Sequence, residues 1–220
     1  MADMPRTTQM NYILYGDRTA KYRVLLPVNG RENAAEIFAL LPEADVCLIA
    51  VRISDWFTEL SPWRSDIVMH GASFAGDGRK TLLHLEKILS ELQVGDDGGH
   101  AVILAGYSLA GLFALWASYE TALFSGVAAV SPSLWFPGWT AYAAERTPRT
   151  SAVYLSLGDR EEKTGNPVMA GVGNALREQY RLLQEQNIPC SLEWSAGGHF
   201  RDAEARTAKG ILRVIELLKA

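Results

Sequence analysis

A chain of 220 residues, 48% hydrophobic and 21% charged, has the make-up of a globular protein with enough material for a sizeable core. Its formal charge of −4 argues against nucleic acid or an anionic membrane as partner. Neither the opening Met1-Ala2-Asp3-Met4-Pro5-Arg6 nor any later run has the apolar length of a signal peptide or a membrane span, so a cytoplasmic protein is expected. The two cysteines, Cys47 and Cys190, are too few for a disulfide framework and are expected to be reduced thiols, Cys47 as a small buried hydrophobe.

Along the chain, residues 1–10 carry no pattern and are expected to be flexible. Short apolar runs then predict strands at Tyr12–Tyr15, Tyr22–Leu26, Val46–Val51, Ala101–Ala105, Val127–Val130, Val153–Leu157 and Ser191–Trp194. Several are apolar at every position, as strands covered on both faces must be. Between them, Leu82, Leu85, Leu89 and Leu92 mark one face of a helix near Lys80–Leu92. Leu176, Tyr180 and Leu183 do the same over Val172–Gln186, and Ile211, Val214, Ile215 and Leu218 mark a C-terminal helix. Gly95-Asp96-Asp97-Gly98-Gly99 is a turn before a strand. Residues 52–78 show no period and read as an irregular loop of functional length. The alternation gives an α/β fold, a mostly parallel central sheet with helices on both faces, in one domain over residues 1–220.

One local pattern carries chemistry. Ala101-Val102-Ile103-Leu104-Ala105-Gly106-Tyr107-Ser108-Leu109-Ala110-Gly111-Leu112-Phe113 reads as a buried strand, a sharp turn at Ser108 and a buried helix. That context makes a nucleophile elbow, whose turn lifts the serine hydroxyl above the sheet edge and needs small neighbours at Gly106 and Ala110. The same turn aims the Leu109 N–H at the site as one oxyanion donor. An N-cap serine after a strand is the plain alternative.

A nucleophilic serine needs a base, and the base an orienting acid. After such an elbow the order is serine, acid, histidine. Of the four histidines, His84 sits within a helix, His100 precedes the strand that leads to Ser108 and falls at the wrong sheet edge, and His70 precedes the serine. His199, in Ser195-Ala196-Gly197-Gly198-His199-Phe200, follows the last strand at the edge where open α/β sheets bind ligands. The acid falls in the loop after Val153–Leu157, where Asp159, Glu161 and Glu162 compete.

These residues resemble the esterase branch of the α/β-hydrolases that includes enterochelin esterases, esterase D and feruloyl esterases. The likeness rests on Gly106-Tyr107-Ser108-Leu109-Ala110-Gly111, on Ser131-Pro132-Ser133-Leu134-Trp135 after the next strand, and on Gly198-His199. It implies an α/β-hydrolase fold and ester hydrolysis through an acyl-enzyme on Ser108, without metal or organic cofactor. It also implies an acid three residues past the glycine ending its strand, which selects Glu161 over Asp159. Relatives carry a His-Gly motif that builds half the oxyanion hole; here Pro27-Val28-Asn29-Gly30 stands in its place, leaving Asn29 or Gly30, or the loop at Asp55-Trp56, as second donor.

Tryptophans in loops after the third and fifth predicted strands, Trp56, Trp63, Trp135 and Trp139, suggest an aromatic-walled cleft beside Ser108, with Trp56, Trp63 and Trp135 as its lining. The expected partner is a small-molecule ester. Transfer of the acyl group to an alcohol, or binding without catalysis on the same fold, are the rival readings.

Overall fold

The computed structural model describes residues 11–30, 33–41, 45–69, 72–92 and 99–220. In chain order these residues form β1 (Tyr12–Tyr15), β2 (Tyr22–Val28), α1 (Ala34–Ala39), β3 (Val46–Arg52), α2 (Trp56–Glu59), β4 (Ser65–Met69), β5 (Ala72–Phe74) and α3 (Gly78–Glu91). There follow β6 (Ala101–Tyr107), α4 (Leu109–Glu120), β7 (Gly126–Val130), α5 (Trp139–Ala144), β8 (Ala152–Gly158), α6 (Pro167–Ala170), α7 (Val172–Glu185), β9 (Cys190–Ser195) and α8 (Ala203–Leu217). A single 3-10 turn, Glu161–Lys163, follows β8. All seven strands expected from the sequence are present. Residues 1–10, His70 and the turn residues 95–98 lie outside the described residues.

Seven strands make one sheet in the order β1-β3-β2-β6-β7-β8-β9. Only β1 runs antiparallel to its neighbour; every other pairing is parallel. Alternate side chains enter two separate cores. Leu25, Ile49, Val51 and Leu104 pack against α3, α4 and α7, while Val24, Leu48, Ala50 and Ile103 pack against α1 and α8. Burial of both faces is why β3, β6 and β7 read as nearly unbroken apolar runs rather than alternating ones, with β2 and β8 interrupted by the buried Arg23 and Ser156. It also places the cysteines: Cys47 lies in β3 and Cys190 in β9, five strand positions apart in the sheet order. At ~4.8 Å per strand they stand ~24 Å from each other, far beyond disulfide reach. Both are free.

The order reverses direction between β2 and β6. From β2 the chain adds β3 on one side, then crosses to lay β6 on the other side and continues outward to β9. Loops leaving the carboxyl ends of β2 and β6 therefore diverge and open a crevice, the place where ligands bind in such sheets. Asn29 follows β2 at this edge and Ser108 follows β6.

Residues 52–78 differ from the irregular loop expected. They hold α2 and the antiparallel hairpin β4–β5, elements of three to five residues, shorter than any window in which a period shows. Tertiary packing sustains them. Phe74 is fully buried and meets Phe57, Trp135 and Phe136 edge to face, with ring centroids 5.4, 6.1 and 5.1 Å away. Gly76, at φ +86°, passes so close to Trp63 and Arg64 that a Cβ would sit 2.4 Å from the Arg64 nitrogen. Among the described residues no helix is long and apolar enough to cross a membrane.

Candidate active site

Ser108 links β6 to α4 in a backbone conformation that side chains rarely adopt, φ 59° and ψ −120°. Such a conformation costs of order 1–3 kcal/mol and persists only where its surroundings impose it. Here they do. A Cβ on Gly106 would lie 2.2 Å from the Ala110 carbonyl oxygen, and one on Gly111 would lie 3.0 Å from the Gly106 oxygen and 3.2 Å from Pro132 Cα. Strand, helix and the loop after β7 thus meet in backbone contact around the serine. The Ser108 N–H donates to Val130 O (3.0 Å), and its carbonyl accepts from Leu112 N–H (3.1 Å) and Ser133 N–H (3.0 Å). Leu109 opens α4, so its N–H belongs to the first-turn donors that a helix leaves unused.

The Ser108 hydroxyl faces His199, with Oγ 2.9 Å from Nε2. On the far side of the ring, Nδ1 lies 2.6 Å from Glu161 Oε2. A carboxylate can only accept, so Nδ1 carries the proton and Nε2 offers its lone pair to the serine. Ser133 Oγ stands 3.4 Å from Ser108 Oγ.

The three acids after β8 are sorted by what they touch. Glu161 alone reaches the imidazole. Asp159 accepts the Gly197 N–H (2.8 Å) and so anchors the loop that carries His199. Glu162 pairs with Arg177 of α7 (3.0 Å). Glu161 is also the best buried, with a side chain 5% exposed. Burial alone would push its carboxyl up; hydrogen bonds from His199, Ser131 and the Gly158 N–H, with the charge of His199, outweigh burial and hold it below the ordinary carboxylate range. The remaining histidines stand elsewhere: His84 is exposed on α3, and His100, before β6, approaches the Ala20 carbonyl (3.1 Å).

A cleft of about 260 Å³ opens on this arrangement, walled by Trp135, Met169, Val172 and Phe200, with Arg160 at its rim and Glu161 and His199 in its lining. Trp135 is where the sequence put it. Trp63 and Trp56 are not among the lining residues. Trp63 donates its indole N–H to Pro137 O (3.0 Å) and packs on Phe136 and Tyr142, bracing the β4–β5 region against the loop after β7. Trp56 opens α2 and packs against the core. Trp139, expected in a loop, is 1% exposed as the first residue of α5, where it packs against Tyr119 and Tyr142.

No protein-family model matches the chain, and no curated protein matches it in sequence. Solved structures match it throughout. An IroE-like serine hydrolase from Shewanella oneidensis superposes with a TM-score of 0.74 at 16% identity, over 92% of this chain and 74% of that one. The siderophore hydrolase EstA from Aspergillus nidulans gives 0.66 at 17%, over 99% and 98% of the two chains. The enterobactin esterase Fes from Shigella flexneri, in the presence of 2,3-dihydroxy-N-benzoyl-glycine, gives 0.64 at 18%, over 94% of this chain and 55% of that one. The fold is that of the α/β-hydrolases. It is the fold that the sequence motifs imply.

Within this α/β-hydrolase sheet, several residues at the site went unread in the sequence. Ser131 directly follows β7 with φ 42°, is buried, and donates its hydroxyl to Glu161 Oε1 (2.6 Å). Tyr107 donates its hydroxyl to the His199 carbonyl (2.5 Å). Arg206 is 5% exposed in the first turns of α8. A signal for Arg206 existed: it stands eight residues before Val214, on the apolar stripe of its helix, where a charge demands a buried partner. For Asn29 the sheet order places the β2 loop beside the Ser108 loop.

Proposed function

We propose that the protein is a serine esterase that hydrolyses small carboxylic esters through an acyl-enzyme on Ser108. The observation that carries this reading is the hydrogen-bonded series Glu161–His199–Ser108, with the serine on a strained turn and Glu161 and His199 in the lining of a cleft. His199 Nε2 takes the hydroxyl proton as Ser108 Oγ attacks the ester carbonyl. Glu161 holds the ring in the required tautomer and stabilises the imidazolium. The Leu109 N–H, with a second donor from the Asn29 loop, holds the oxyanion. The imidazolium then protonates the departing alcohol, and water repeats the sequence to release the acid. Hydrolytic activities in the names of the similar structures, siderophore hydrolase and enterobactin esterase, support the same reaction type for this chain.

A fluorophosphonate probe tests the reading. Stoichiometric labelling is expected at Ser108, located by peptide mass spectrometry, and is expected to vanish in His199→Ala. Ser108→Ala is expected to lose about a million-fold in kcat on a hydrolysable ester with no change of fold. A folded wild-type protein that takes no label would instead favour ligand binding without catalysis.

A further inference from the structure

We propose that Arg206 is the positioning residue of this site, fixing the direction of its proton-donating hydroxyls and setting the basicity of the Glu161–His199 pair. The proposal rests on the roles given above to Ser108, His199 and Glu161.

A buried guanidinium is stable only where its protons find acceptors and its charge finds a counter-charge. Nε of Arg206 has no hydrogen-bond partner among the described residues, and every side-chain partner of its two Nη atoms borders the reacting residues. Nη1 donates to the Tyr107 hydroxyl (2.8 Å), Nη2 donates to the Ser131 hydroxyl, and Nη2 also lies 3.3 Å from Glu161 Oε1. Tyr107 ends β6 and directly precedes Ser108, Ser131 follows β7, Glu161 follows β8, and Arg206 itself follows the His199 loop. One side chain therefore ties together the loops after β6, β7, β8 and β9.

Arginine has donors only. With Arg206 donating to both hydroxyl oxygens, Tyr107 and Ser131 must direct their own protons away from it. Tyr107 sends its proton to the His199 carbonyl (2.5 Å), and Ser131 sends its own to Glu161 Oε1 (2.6 Å). Glu161 Oε1 thus receives Ser131, Arg206 and the Gly158 N–H (2.6 Å), which leaves Oε2 for His199 alone. A neutral amide at position 206 offers an acceptor as well and loses that dictation.

The charge acts alongside the geometry. His199 is faced by Glu161 at Nδ1, by Ser108 at Nε2 and by the Tyr107 ring (centroids 5.5 Å apart), and Arg160 lines the same cleft. Arg206 is faced by Glu161, Tyr107 and Ser131, and its charge is also felt by Tyr154 of β8. Tyr154 in turn donates to Glu193 (3.2 Å), a carboxylate already paired with Lys209 and Arg213. Glu161 is thus the carboxylate that Arg206 shares with His199. The cation offsets part of the carboxylate's pull on the imidazolium, so removing it lets the pair take up its proton at higher pH.

The test follows the His199 imidazole resonance by NMR against pH, without substrate, in the wild type, Arg206→Met and Arg206→Lys, beside pH–rate profiles of kcat/KM. Arg206→Met is expected to raise the titration midpoint of the pair by about one unit and the acid limb of kcat/KM with it. Its kcat is expected to fall about 10- to 100-fold at nearly constant KM. Arg206→Lys keeps the charge and loses the planar fork, so its midpoint is expected near the wild type while kcat still falls about tenfold. A folded Arg206→Met with an unmoved midpoint overturns the proposal. Should that variant not fold, a wild-type kcat in Arg206→Lys overturns it. Failure of the esterase reading shows separately, as a wild type that takes no fluorophosphonate; the NMR midpoints do not depend on turnover.

Discussion

Ser108, the proposed nucleophile, and His199 with Glu161, its proposed proton relay, are held in place by different physics. Ser108 is set by backbone contact: a glycine with no room for a methyl group on one side, a helix on the other, and main-chain hydrogen bonds to β7, α4 and the loop beyond β7. His199 and Glu161 are set by side chains reaching between loops. Tyr107 holds the His199 carbonyl, Asp159 holds Gly197, and Ser131 with Arg206 holds Glu161. Steric exclusion in close-packed backbone leaves no freedom. Hydrogen bonds between loops tune direction and charge, and each can be removed singly. The serine is therefore rigid and intolerant of change, whereas the relay is adjustable in basicity and can lose function by degrees.

The largest effect is expected where this contrast is sharpest. Gly106→Ala places a methyl group 2.2 Å from a backbone oxygen that cannot retreat without moving α4. Stability is expected to fall by more than about 4 kcal/mol in urea unfolding, and labelling at Ser108 to disappear with it. A stable, labelled Gly106→Ala protein would break the claim that backbone contact sets the serine.

Glu161→Gln is expected to come next, and it tests how far the relay is separable from the fold. On the esterase reading kcat falls roughly ten-thousand-fold, because the amide does not maintain the required tautomer. Stability also falls, by about 3 kcal/mol, since Arg206 stays buried without its carboxylate. Acid unfolding supplies the sign. Folding lowers the Glu161 pKa, so its contribution is complete above the unfolded value of about 4.3 and is lost as pH falls through the folded value. Melting temperatures between pH 7 and pH 3 are expected to fall more steeply in the wild type than in Glu161→Gln, the remaining carboxylates with lowered pKa contributing equally to both.

The smallest effect is expected at Trp63→Phe. This change removes the hydrogen bond to Pro137 O and trims the contact with Tyr142, worth about 1 kcal/mol in stability. kcat/KM is expected to stay at the wild-type value. A raised KM would mean that the substrate cleft extends to Trp63 and would sharpen the boundary of the relay side.

The same division explains what could be read from the chain. The central strands were legible because burial on both faces writes nearly continuous apolar runs, and the edge strands β1 and β9 as short, only partly buried runs. Ser108 was legible because an elbow needs small residues, an apolar strand and an apolar helix within about ten neighbouring positions. His199 followed from chain order, while the choice of Glu161 over Asp159 needed a resemblance, since three acids in one short loop look alike until their contacts are known. The short helix α2, the hairpin β4–β5 and the burial of Trp139 were not legible, because distant aromatic packing decides them.

By itself, then, the sequence determined the layered α/β architecture, the turn that presents Ser108 and the histidine that answers it, all consequences of local sterics and hydrophobic period. The tertiary structure alone decided which acid meets the imidazole, which tryptophan walls the cleft and what Arg206 is for. Those outcomes join residues separated by 38 positions for Glu161 and His199 and 99 for Tyr107 and Arg206. No local pattern spans such distances, and only the order of strands in the sheet brings the four loops to one edge.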